Sequence, residues 1–175
     1  RARQGSEKEA EAVLTANTIQ NNGGDGVVVR EGAAARIGFN TGNELSSIGN
    51  VIQMNSRNGI TVSGSSSARV VGNDINNNGG DGVRVMGSSQ ADIADNMIEG
   101  NSGNGVLVER NSVVNLGEDS GTSIFELPNT TNTNNGGFGV GCGDGGMVDG
   151  RLGSLNGDSG ATEFPAGSGC INDLL

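Results

Sequence analysis

The chain has 175 residues, 33 of them glycine, a formal net charge of −10, and no His, Trp or Tyr. That length allows one domain with a real core, while the acidity argues against nucleic acid or an acidic membrane surface, which both need clustered Lys and Arg. Without His there is no Ser-His or Cys-His nucleophile pair and a usual zinc ligand is missing; no apolar run is long enough to span a bilayer.

Residues 1–16 carry two readings. "SEKEAEAVL" fits a short capping helix with Ser6 as N-cap and Glu9 reaching back to it. The preferred reading is a remnant of a preceding coil in a longer repeat protein, with Ala12–Asn17 as that coil's last strand.

From Asn17 onward a repeat takes over. Asn17, Asn50, Asn73 and Asn96 open four units, with Ile19, Ile52, Ile75 and Ile98 two residues later and Asn22, Asn55, Asn78 and Asn101 five residues later. Gly26, Gly59, Gly82 and Gly105 follow, each before Val or Ile, and then Val29, Val62, Val85 and Val108. An alanine column (Ala12, Ala35, Ala68, Ala91) precedes an aliphatic one (Leu14, Ile37, Val70, Ile93, Leu116). The step is 23 residues; between Asn17 and Asn50 it is 33, one step plus an insertion at 40–49. A fixed period of this length marks a solenoid.

Each unit reads as strands. Val27 and Val29, like Ala35 and Ile37, alternate as residues facing one side of a strand do, and the apolar runs are too short for helices. Three short strands per unit make one coil of a parallel β-helix, with coils stacked about 4.8 Å apart. The Gly26 column is expected to supply positive φ or a corner free of side chains. At least one Asn column should form an amide ladder. The Asp25, Asn58, Asp81, Asn104 column is read as turn chemistry that spaces its charges. A leucine-rich repeat and a calcium-binding nonapeptide roll both fit less well, because the leucine positions are unfilled and nothing recurs every nine residues.

Beyond 117 the pattern loosens but persists. "NNGGFGVGC" at 134–142 places Val140 and Cys142 at inward positions of a fifth coil, after an insertion at 119–129. "DSGTSIF" at 119–125 returns as "DSGATEF" at 158–164, and Leu116-Gly117 as Leu152-Gly153, which suggests a partial sixth coil closed by a cap ending in "CINDLL". Cys142 and Cys170 are the only cysteines, and a disulfide pinning the cap to the last coil is expected. The organisation is thus 1–16 cap or remnant, 17–142 coils, and 143–175 last partial coil and cap.

The pattern Asn-x-Ile-x-x-Asn-x-Gly-x-Gly-Val-x-Val, with "GNVIQMN" after the first insertion, resembles the right-handed parallel β-helix repeats of the pectin-lyase-like superfamily over roughly residues 12–142. The resemblance implies the fold. It does not fix an activity, because the architecture hosts lyases, hydrolases, epimerases, adhesins and inert repeats alike. The hydrolases' Asn-Thr-Asp, Asp-Asp and Gly-His-Gly motifs are missing, no lysine lies on the coils, and no catalytic residue carries over. What survives is a charged face. In the stacked register Arg36, Arg69 and Asp92 form one outward column, and Asp95 and Glu118 share another, between the two insertions. Such a face could bind ligand or hold Ca2+. The expectation is a secreted or cell-surface structural or adhesive module. The alternative is a carbohydrate-binding or polysaccharide-active domain with its site on that face. The expected partner is a polysaccharide or cell-surface component, with an end-to-end or capping contact at the N-terminal end of the solenoid, and neither nucleic acid nor membrane insertion.

Overall fold

The computed structural model describes residues 11–40, 47–118 and 127–175. Among them there is no helix. The strands follow one another around successive coils: β1 (Glu11–Leu14), β2 (Thr18–Gln20) and β3 (Val27–Val29), then β4 (Ala34–Ile37), which is followed by a small hairpin of β5 (Phe39–Asn40) and β6 (Ser47–Ile48). Next come β7 (Val51–Gln53), β8 (Ile60–Ser63), β9 (Ser67–Val71), β10 (Asp74–Asn76), β11 (Val83–Met86) and β12 (Gln90–Ala94). The last are β13 (Met97–Glu99), β14 (Val106–Val108), β15 (Val113–Leu116), β16 (Phe138–Cys142), β17 (Met147–Gly150), β18 (Gly160–Glu163) and β19 (Ile171–Leu174).

Apart from the hairpin, all strand pairing is parallel and forms three sheets. The first runs β1-β4-β9-β12-β15-β17-β19, the second β13-β10-β7-β2, and the third β18-β16-β14-β11-β8-β3. The expected parallel β-helix is therefore present. Its register is the one the 23-residue step dictates: Ile19, Ile52, Ile75 and Ile98 are partners in series, as are Ala12, Ala35, Ala68 and Ala91. Stacking like residues puts every inward column on one axis. Ile52, Ile75, Ile98, Val83, Val106 and Ile93 have no exposed surface and belong to one core cluster. Such stacking buries apolar side chains and also pairs both edges of each inner strand, so hydrophobic burial and backbone satisfaction favour the same register.

The corners carry amide ladders. In the first, each Asn donates its backbone N–H and its Nδ2 to the Oδ1 of the Asn one coil on, running Asn17, Asn50, Asn73, Asn96 and then Asn129. The second runs Asn22, Asn55, Asn78, Asn101 and Asn135 in the same sense, and ends where Asn135 donates to the carbonyl of Asn156. Buried amides need such partners, because an orphaned polar group costs about 1–3 kcal/mol. Asn129 was hidden by the second insertion, expected over 119–129. The chain is already back on the coil at Leu127, whose carbonyl accepts the Asp95 N–H.

The Asp25 column does more than turn the chain. Asp25 Oδ1 accepts the Asn58 N–H, Asn58 Oδ1 that of Asp81, Asp81 Oδ1 that of Asn104, and Asn104 Oδ1 that of Phe138. This is a third ladder, of opposite polarity to the other two. The Gly26 column also departs from one expectation: Gly26, Gly59, Gly82 and Gly105 are not among the positive-φ glycines. A Cβ on Gly82 would lie 2.6 Å from Gly105 O, 2.5 Å from Ile98 Cγ2 and 3.0 Å from Asn101 Nδ2. Close approach of the ladder, rather than backbone handedness, is what requires glycine there. Left-handed corners fall instead on Asn21, Met54 and Asn77 and their equivalents.

Ile171–Leu174 of "CINDLL" is a further strand of the first sheet, parallel to β17. One C-terminal expectation is corrected. The partner of Leu116 is Gly150, not Leu152, so the Leu-Gly echo is out of register by two. Cys142 and Cys170 are disulfide-bonded with Cα atoms 6.1 Å apart, fastening the start of β19 to β16. The readings placed on residues 1–10 lie outside the described residues, but the helix reading cannot run through Glu11–Leu14, which is strand.

Candidate functional site

The outward face of the first sheet bears one column through seven strands, polar from Arg36 onward. Val13, Arg36, Arg69, Asp92, Asn115, Asp149 and Asp173 are successive partners. Inward neighbours on the same strands, such as Ala68, Val70, Ala91 and Ile93, are buried and lock the alternation. Because strands repeat at about 4.8 Å, the column is a straight row of functional groups. It is cationic at Arg36 and Arg69 and acidic from Asp92 onward.

Between Arg69 and Asn115 the face is hollowed by about 250 Å3, with Ser67, Arg69, Gln90, Asp92 and Asn115 in its wall. Asn115 Nδ2 donates to Asp92 Oδ1 at 2.8 Å, which fixes that carboxylate. The polar wall of the hollow comes from β9, β12 and β15, and Ala35 of β4 also lines it. The strand before them, β4, and the last of them, β15, lead into the inserted segments. Positions 41–46 and 119–126, which hold most of both insertions, lie outside the described residues.

Three of the five residues expected on this face come together in one column: Arg36, Arg69 and Asp92. The other two do not share a second column. Asp95 has φ of 57° at the corner after β12 and donates its N–H to Leu127 O. Since Asn129 is level with Asn96 in the ladder, Pro128 and not Glu118 is level with Asp95. Asn115, Gln90 and Ser67 were not foreseen, although adding 23 to Asp92 gives Asn115 directly.

Sequence reasoning also missed a second polar hollow, of about 430 Å3, outside the third sheet. Its wall includes Asp25, Ser56, Arg57, Thr61, Arg84 and Met86. Arg84 Nη2 donates to Glu109 Oε1 at 2.6 Å. Burial works against the Arg84 cation, but the Glu109 hydrogen bond and charge, with Asp81 and Asp25 behind them, outweigh it and raise the pKa. Asp81 is 8% exposed. Desolvation raises its pKa against the opposing pull of the Asn104 N–H and of Arg84. Among the described residues no cluster of three His, Cys, Asp or Glu is placed to hold a metal ion.

Stacked parallel coils with side-chain ladders at the corners define a parallel β-helix protein. A family model described as "Right handed beta helix region" matches residues 4–160, and the chain belongs to that family. Comparison with curated proteins and with solved structures gives no match.

Proposed function

We propose that the chain is a structural or adhesive module of a secreted or cell-surface β-helix protein, a stiff acidic segment that spaces or attaches. The observation that carries this reading is the continuity of the ladders from Asn17 to Asn129 and from Asn22 to Asn135. Ladders turn every corner into a fixed inter-coil contact, and this resists bending in a way that loop-joined coils do not. The Cys142–Cys170 disulfide supports an oxidising compartment. The acidic sequence, with a pI near 4.3, suits a soluble, non-associating rod.

A second reading rests on one observation, the hollow at Ser67, Gln90, Asp92 and Asn115 between the strands that feed the two insertions. A mixed row of guanidinium, amide and carboxylate suits a polyhydroxylated, charged polymer. Calcium could bridge such a polymer to Asp92. Binding and turnover of acidic and neutral polysaccharides, each with and without calcium, separates the two readings. The structural reading expects no turnover of any of them. Turnover abolished in Asp92→Ala, with the fold intact, would overturn it in favour of a polysaccharide-active domain.

A further inference from the structure

The hollow outside the third sheet is built by three coils: Asp25 comes from the first, Ser56, Arg57 and Thr61 from the second, and Arg84 and Met86 from the third. Its groups are chemically specific. Asp25 uses Oδ1 to accept the Asn58 N–H, leaving its second oxygen for another donor. Thr61 Oγ1 accepts from Asn58 Nδ2 at 3.1 Å, so its own hydrogen remains available. Arg57 is exposed at the rim. Arg84 is held in place by Glu109, yet its buried Nε–H has no hydrogen-bond partner. That buried Nε is out of a ligand's reach, but about a third of the Arg84 side chain is exposed at the wall of the hollow (32%), where its other guanidinium N–H groups can meet an added acceptor.

We propose that this hollow is a binding site for a hydroxylated carboxylate, whose carboxylate lies against Arg57 and Arg84 and whose hydroxyls meet Thr61 and Asp25. Arg57 and Arg84 both line the hollow, and a planar carboxylate matches the forked donors of a guanidinium. The ligand is a monoanion, because Asp25 in the wall opposes a second negative charge. It is hydroxylated because the remaining wall offers a hydroxyl donor and a carboxylate acceptor, with Met86 as the apolar side chain in the wall. The site is on a different sheet from the Asp92 hollow and does not depend on how that one is read.

The test is an amide-shift titration of the whole chain with gluconate, alongside acetate, glucose and sulfate. Gluconate should give saturable shifts confined to residues 24–26, 56–61 and 79–86. Acetate should bind at least threefold more weakly, sulfate more weakly still, and glucose not at all. Arg57→Ala should weaken gluconate about tenfold, the loss of one charge-assisted hydrogen bond. Arg84→Gln should do the same; since that change also breaks the Glu109 pair, Thr61→Val provides a second variant that keeps a β-branched strand residue. No saturable shift at those residues, tighter binding of sulfate or glucose than of gluconate, or unchanged affinity in both Arg57→Ala and Thr61→Val would overturn the proposal.

Discussion

Replacing Asn78 with Ala tests the ladder at its most connected point. Asn78 is 1% exposed. Its Oδ1 accepts from Asn55 N at 3.1 Å and Asn55 Nδ2 at 2.9 Å, and its Nδ2 donates to Ile52 O at 3.1 Å and Asn101 Oδ1 at 2.9 Å. After truncation Asn101 Oδ1 keeps the Asn78 N–H, and Asn55 Nδ2 keeps Ile19 O. The Asn55 N–H and the Ile52 carbonyl lose these partners inside the stack. The Ile52 carbonyl keeps its place in the parallel ladder with β10, so one buried orphan at about 1–3 kcal/mol, with about 2 kcal/mol for the remaining lost amide bonds, gives roughly 3–5 kcal/mol. Release of the side chain from its fixed rotamer returns about 1 kcal/mol, so the expected loss is about 3 kcal/mol. Asn22→Ala is the internal control. Asn22 is exposed and only donates, through N and Nδ2 to Asn55 Oδ1, so its truncation orphans nothing and should cost about 1 kcal/mol or less. Urea unfolding of both variants, with amide exchange to confirm that the coils melt together, gives the difference. Equal losses for the two variants, within about 0.5 kcal/mol, would refute the claim that inter-coil amides hold the stack.

Other perturbations follow from the same contacts. Gly82→Ala sets a methyl against Gly105 O and Ile98 Cγ2 and should cost about 1–3 kcal/mol or more by overpacking; a thermal scan that matches wild type would contradict it. Asp81→Asn keeps the Oδ1 acceptor used by Asn104 and places an amide where Asn58 and Asn104 already stand in the column. A carboxyl whose pKa is raised on folding destabilises the fold most above that raised pKa and not at all below its unfolded value, so the wild type should gain stability on acidification through that window. Asp81→Asn should lose that part of the pH dependence, read from unfolding midpoints across pH 4–7. Reduction of Cys142–Cys170, which are 28 residues apart, should cost about 3.5 kcal/mol in the chain-entropy account, with Ile171–Leu174 losing exchange protection first.

Much of the architecture can be read from spacing alone, because every inward column recurs at 23 residues and like side chains become neighbours by addition. Ile52, Ile75 and Ile98, and Ala68 with Ala91, follow that arithmetic, whereas the inward Val140 and Cys142, 34 residues after their partners Val106 and Val108, are found from the repeated corner "NNGG" instead. The arithmetic fails where the chain leaves the stack. Asn129 belongs to the first ladder, but 33 residues separate it from Asn96, so the insertion hides it. The third-sheet hollow fails for a different reason: Arg57 and Arg84 sit at different heights and in different columns, so no single periodic row contains both. Column arithmetic finds stacked neighbours, whereas a cavity is made by neighbours that cross columns. The Gly26 column shows a further limit, since spacing identified the glycines but only the distance to Asn101 Nδ2 and its equivalents distinguished close approach from a special backbone angle.

The two polarities of the corner ladders mean that every turn both gives to and takes from each neighbour. A turn therefore cannot tell which copy of the motif lies above it, provided that copy is the right length. The identical heptapeptides at 21–27 and 77–83 fit this interchangeability. Growth or shrinkage of such a protein by whole turns leaves every junction chemically unchanged. A slip of one or two residues would break four junction contacts at once, those of the three ladders and the serine step Ser66–Ser89–Ser112. Whole-turn duplication and deletion are thus the easiest routes by which its length can evolve.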